Sequence, residues 1–249
     1  MDLLLFGLCV AIAIFVQNLT GFAFSLLLLG FVSLLGVASV NDAANAASVL
    51  TAVNGWTHFR LYRNKPLPWQ RLRPVLIMGA FGVLVGVFLL AWLSGHNLLL
   101  LRVLLGVTIL GCGLLLLDQR RQRQTMSGPA SFAVTGVLAG VLGGLFASAG
   151  PPLVYQMYRQ PMPIDVIRQS LLLIFAMSAC LRLVFVLVAG QFTLWSAVLA
   201  ACCLPVVWTI TRLQYRYPLK PNPTIMRRMV AVLLGISGLS LLLPALAAL

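Results

Sequence analysis

The sequence predicts an all-α polytopic membrane protein made of two inverted-topology repeats, each a broken-helix (re-entrant) hairpin followed by three transmembrane helices. Three observations predict it. The 249 residues are 61% hydrophobic and 8% charged, with a mean hydropathy of +1.03, too little charge to cover a soluble domain. Apolar runs approaching the roughly 20 residues that cross a bilayer alternate with short basic loops. Two runs are interrupted by glycine, proline and polar residues, and a helix broken in lipid exposes backbone groups that only protein or a wet cavity can satisfy.

Apolar segments are expected at about 3–17, 22–40, 44–61, 74–93, 97–117, 130–148, 151–158, 164–188, 193–211 and 229–247. The first lacks the basic leader and small-x-small cleavage site of a signal peptide, so it reads as a membrane segment. The net charge of +13 comes from 15 Arg and 2 Lys against four Asp and no Glu. Fifteen of those 17 basic residues fall in four stretches, 60–73, 120–123, 159–168 and 212–228. Positive loops stay in the cytoplasm and meet anionic lipid, which accounts for the charge without nucleic acid. The connections near 41–43, 94–97 and 189–192 carry no Lys or Arg and go outside, as do both termini.

With the loops so placed, 130–160 begins and ends in the cytoplasm. Two full crossings need roughly forty residues, so this piece, broken at Gly150-Pro151-Pro152, is expected to turn within the membrane. Residues 3–40 do the same from outside, turning at Gln17-Asn18-Leu19-Thr20-Gly21. The halves also echo one another. Val103-Leu104-Leu105-Gly106 recurs as Val232-Leu233-Leu234-Gly235, Trp69 answers Trp195, and Ser48 followed twelve residues later by Arg60 answers Ser170 followed twelve later by Arg182. The division is 1–117 for the first repeat, 118–129 for a cytoplasmic linker and 130–249 for the second repeat. Inverted repeats with broken helices are the pattern of secondary transporters whose site lies at the midplane.

The run of small residues from Gly143 that ends in Gly150-Pro151-Pro152 before Leu153-Val154-Tyr155 resembles a motif of the TauE/SafE family. The resemblance continues through Arg168-Gln169-Ser170-Leu171, Leu181-Arg182-Leu183 and Gly190-Gln191-Phe192. In the first half it rests on Thr20-Gly21-Phe22, with Asn45 to Ser48, His58 and Trp69. It implies an exporter of sulfite or an organosulfonate in the bacterial cytoplasmic (inner) membrane, with a proton gradient as the expected coupling. Two departures stand out: Phe22-Ala23-Phe24-Ser25 replaces a glycine-rich run, and Ala47-Ser48 and Gln169-Ser170 replace a Thr-Ser pair.

An oxyanion carrier needs donors and positive potential without a permanent grip, and a broken helix offers both at its free N–H groups. Ser148, Gly150 and Pro151 are expected to form one half-site, with Gln17, Asn18, Thr20 and Gly21 opposite. The alternative is that the small residues only let helices pack. Asn45, Ser48, Gln169 and Ser170, near two helix starts, would line the pocket or bond between helices. Asn54 is expected to face inward. Arg182 and Arg102 alone lie outside the basic stretches; Arg182 either balances an anion or snorkels to the interface, and Arg102 reads as an interfacial anchor. His58 is the candidate for proton coupling. Asp42 and Asp165 are expected to cap helices.

No HExxH, GxSxG or Walker loop is present, which argues against an enzyme. The five unpatterned cysteines read as buried small hydrophobes, and neither metal nor cofactor is called for. Expected partners are a small anionic substrate, membrane lipid and, for the assembled protein, a second copy in a homodimer. The rival readings are import of another small anion on the same scaffold and a non-transporting accessory subunit.

Overall fold

The computed structural model describes residues 2–61, 67–96, 98–117, 124–147, 150–217, 231–236, 238–239 and 242. Among them the chain is helical throughout, with no strand: α1 (Asp2–Thr20), α2 (Phe24–Leu35), α3 (Val40–Leu61), α4 (Trp69–His96), α5 (Leu98–Leu117), α6 (Pro129–Phe146), α7 (Gly150–Tyr158), α8 (Ile164–Val188) and α9 (Leu194–Arg216), with helical residues again at 231–236. Each apolar segment expected from the sequence meets one of these. Five helices, α1, α4, α6, α8 and α9, are long and apolar enough to cross a membrane. Large apolar side chains such as Phe81, Phe88, Val134 and Leu187 are exposed on their outer faces, as hydrocarbon surroundings favour.

The boundaries differ where local chemistry intervenes. α2 stops at Leu35 rather than 40 because Gly36 enters the left-handed region at φ 65° and returns its N–H to the Val32 carbonyl, a glycine stop. The start of α3 corrects the expectation that Asp42 is the cap. Ser39 is the capping residue, accepting from Asp42 N at 3.0 Å while its hydroxyl donates to Asp42 Oδ2 at 2.6 Å, so that Asp42, the third helical residue, is bound to the cap and does not supply it. Asp165 lies in the first turn of α8 after Pro163, which offers no side-chain cap. The cysteines are free, but Cys180 and Cys202 are exposed and only Cys9, Cys112 and Cys203 are buried.

Twice a long helix is followed across a short turn by a short one: α1 of 19 residues by α2 of 12, and α6 of 18 by α7 of 9. Each turn holds an alanine in the left-handed region, Ala23 at φ 79° and Ala147 at φ 55°. For a residue with a Cβ that conformation costs roughly 1–2 kcal/mol.

α4 and α6 pack backbone to backbone. A Cβ on Gly82 would lie 2.3 Å from the Val137 carbonyl, one on Gly86 2.2 Å from Val141 O, and one on Gly140 2.2 Å from Gly79 O. Small residues at such seams replace the hydrophobic force that lipid cannot supply between helices. α3 and α8 meet at a second close approach, where a Cβ on Gly55 would fall 2.2 Å from Ala176 Cβ. α9 lies against α1 and α3, α8 against α4, and α5 against α7.

Candidate functional site

A polar seam runs along α3. Asn45, Ser48, Thr51 and Asn54 are buried, and His58 lies one turn further on. Steps of three residues fall roughly 60° short of a turn, so the row winds about half-way around α3 between Asn45 and Asn54, and from Asn45 to His58 it covers thirteen residues, about 20 Å of helix. Two clusters of side chains close on this seam, one at each end.

The cluster toward Asp42 is built around Arg182 of α8. Arg182 is 0% exposed, so it does not snorkel. Its Nε donates to Gly144 O at 2.9 Å, and its Nη1 to Ser48 Oγ at 2.9 Å, Asn45 Oδ1 at 3.0 Å and Ala44 O at 3.3 Å. These partners are all neutral oxygens, and Nη2 has no hydrogen-bond partner among the described residues. A buried guanidinium whose described partners include no carboxylate carries a charge that no counter-ion balances and an unspent donor. Asn45 spans the edge of the cluster, its Nδ2 donating to Gln191 O at 3.0 Å. Beyond it opens a cavity of about 320 Å³ lined by Ser39, Asp42, Asn45, Leu90, Gln191 and Thr193.

Asp42 lies outside the apolar part of α3 and ties that helix to α9. Its Oδ1 accepts from the Thr193 hydroxyl and, at 2.8 Å, from Ser196 Oγ. Partial burial works against its charge, but the hydrogen bonds from Ser39, Thr193 and Ser196 outweigh it and hold the carboxyl below its usual value.

The cluster toward His58 is a closed amide network. Asn54 Nδ2 donates to Gln17 Oε1 at 3.0 Å and Asn18 Oδ1 at 2.9 Å, and Asn54 Oδ1 accepts from Thr211 Oγ1 at 2.7 Å. Asn18 Nδ2 donates to Thr211 Oγ1 at 3.1 Å, and His58 Nε2 lies 3.2 Å from Asn18 Oδ1. The network satisfies Asn54 completely, which lets a primary amide sit fully buried.

Direct bonds link the first turn to the second and to the far end of α7. Ser25 Oγ donates to the Ala147 carbonyl at 2.7 Å, and Tyr158 OH to the Thr20 carbonyl at 2.7 Å. Gly21, at φ 84°, packs on Arg168, whose Cα would lie 3.0 Å from an added Cβ.

Of the residues expected from the sequence, the structure brings Asn45, Ser48 and Arg182 into one cluster and Gln17, Asn18, Asn54 and His58 into the other. Thr20 turns its hydroxyl to Val16 O and Phe22 O and closes its own turn. Gly150 opens α7 at φ 27° with nothing nearer than 3.7 Å to an added Cβ, so its backbone angle, not crowding, favours glycine there. Pro151 lies in the first turn of α7, where its missing N–H costs nothing. Gln169 is half-buried, and Ser170 is fully buried with no partner for its hydroxyl among the described residues. Ser148 and the side chain of Arg102 lie outside the described residues. Thr211, Thr51, Ser25 and Tyr158 were not expected; one hydroxyl in an apolar helix gives no signal until a distant partner is known.

A family model described as sulfite exporter TauE/SafE matches residues 5–241. The chain is 36% identical over 233 residues, 93% of this chain and 90% of the relative, to a probable sulfite/organosulfonate exporter TauE of Cupriavidus necator. It is 31% identical over 196 residues, 76% of each chain, to a probable inner membrane transporter protein TsaS of Comamonas testosteroni. No solved structure matches.

Proposed function

Because the chain belongs to the TauE/SafE sulfite exporter family, we propose that this membrane transporter moves sulfite or an organosulfonate outward across the bacterial inner membrane by alternating access. Its site lies between the two hairpins at the interface of two inverted repeats. The observation that carries this reading is Arg182: a fully buried guanidinium surrounded by neutral oxygens with one nitrogen unspent. A small oxyanion supplies the missing charge and acceptor together, and neutral partners keep the grip loose enough for release.

The pattern of packing supports the repeat. If α1 to α4 correspond to α6 to α9, then α1 on α9 is the counterpart of α6 on α4, and α3 on α9 of α8 on α4, and α3 on α8 is its own counterpart; all of these pairs are in contact. The basic loops put the Asp42 end of α3 outside and the His58 end in the cytoplasm. Release then runs from Arg182 past Asn45 into the cavity at Asp42. The described membrane helices carry no carboxylate relay, so the membrane potential, negative inside, drives the anion out, with His58 the one group suited to a proton contribution.

The test is efflux of sulfite, taurine and sulfoacetate from loaded proteoliposomes under an imposed potential, with and without a pH gradient. Efflux of one of them that Arg182→Gln slows about ten- to hundredfold is the expected result. No efflux of any anion overturns the transport reading, and uptake alone would favour the importer.

A further inference from the structure

The α3–α8 pair carries two copies of one arrangement, of which only one is engaged. Ser48 meets Arg182, while Gly55 meets Leu172 and Ala176; moving forward along α3 therefore moves backward along α8, and the helices are antiparallel. Twelve residues on from Ser48 is Arg60, and twelve back from Arg182 is Ser170. In an antiparallel pair those equal steps bring Arg60 level with Ser170, about 18 Å of helix from the Arg182–Ser48 bond. The angle between serine and arginine around the axis is also the same on both helices, because the offset is the same.

The two ends are nevertheless in different states. Arg182 is turned inward and bound to Ser48. Arg60 is exposed, its guanidinium lying 5.3 Å over the Trp56 ring, while Ser170 is 0% exposed and its hydroxyl has no partner among the described residues. A buried hydroxyl left unpaired costs free energy that a guanidinium could recover. The ring face holds Arg60 by a contact worth only about 0.5–1 kcal/mol at an exposed site.

We propose that Arg60 and Ser170 form a second oxyanion site, on the cytoplasmic side, that takes sulfite or a sulfonate when Arg60 leaves Trp56 and turns inward. This deepens the transport reading and rests on it. The anion passes between two guanidiniums of one helix pair: Arg60 receives it from the cytoplasm and Arg182 releases it outside. Each arginine engages its serine in one state and disengages in the other. Ser170 contacts the anion or Arg60 at the inner site as Ser48 contacts Arg182 at the outer one.

The experiment compares wild type with Arg60→Lys and Ser170→Ala, each checked for insertion, in sulfite efflux and in a fluorescence assay. The optical signal is the change in emission on adding sodium sulfite that is lost in Trp56→Phe. Losing one charge-assisted hydrogen bond should slow efflux about tenfold in either variant. The Trp56 signal should be present in wild type and absent in Ser170→Ala. Wild-type efflux in Arg60→Lys would mean that Arg60 serves only as a positive loop charge, and a Trp56 signal indifferent to Ser170→Ala would equally overturn the second site. Absence of efflux from wild type would defeat the transport reading alone, because the Trp56 response follows binding and decides on Arg60 independently.

Discussion

Arg182 donates from Nε to the carbonyl of Gly144 at 2.9 Å, and that carbonyl is among the last of α6, where the helix has no donor of its own left to offer. The arginine therefore stands at the negative end of the α6 dipole, which partly compensates its charge. A purely structural cap and an anion site both fit that contact, and they part company on substitution.

Arg182→Gln keeps a donor for Gly144 but removes the charge. Transport should fall about ten- to hundredfold, the range of a charge-assisted hydrogen bond, while the melting temperature in detergent changes little or rises, because a buried charge is expensive to keep. A large drop in melting temperature with proportionate loss of transport would make Arg182 a structural cap.

The seam between α4 and α6 should tolerate nothing larger than glycine. In Gly82→Ala the new methyl meets the Val137 carbonyl at 2.3 Å, and backbone on a packed helix cannot give way. Overpacking of this kind costs about 1–3 kcal/mol, a fall of about 2–4 °C in Tm per kcal/mol at this chain length. Gly111→Ala, on α5 with nothing within 4 Å of the new methyl, is the control and should leave Tm unchanged. Equal Tm for the two variants would contradict the close approach.

Asp42 should stabilise the α3–α9 junction across the physiological range. Its carboxyl is held below its ordinary value of 3.8, so its contribution is present above that value and is lost only as the pH falls further, through the folded value. The Tm difference between wild type and Asp42→Asn should be constant from about pH 5 to about pH 8 and shrink only in stronger acid. A difference that vanishes near neutrality would place the carboxyl in another environment.

Ala23 and Ala147 hold strained backbone at the two turns. Replacing either with glycine relieves the left-handed conformation and should raise stability by about 1 kcal/mol, read as a shift in Tm. If the strain also sets the pose of the turns, the same variants slow efflux; faster efflux would show that it restrains the cycle.

Much of this was legible before any coordinates. Breaks in apolar runs are conspicuous because lipid forbids them, and a single arginine or asparagine in such a run attracts notice for the same reason. Hence both turns, Arg182 and Asn54 could be singled out, and the helices fell near their expected ranges. Pairings could not be read, because Ser48 and Arg182 are 134 residues apart and a serine carries no sign of its partner. Thr211 escaped for that reason. The direction of Arg182 was undecidable from its distance to a helix end, since a long side chain can reach either way. The glycine seam left a visible spacing at Gly136, Gly140 and Gly144, but which helix it faced needed the fold. Ser39 displaced Asp42 as the cap because the chain turns at Gly36 and α3 already begins at Val40, four residues before the expected apolar segment at 44.

The contact of α4 with α6 also sorts the molecule mechanically. Where two backbones touch, no cushion of side chains can shear, and sliding one rod along the other would drive Val137 and Val141 through notches shaped for hydrogen atoms. That pair behaves as a welded strut. Any stroke of the machine must then be taken up elsewhere, at joints padded by flexible side chains, and the joint between α3 and α8 touches backbone closely at Gly55, like the pivot of a pair of shears.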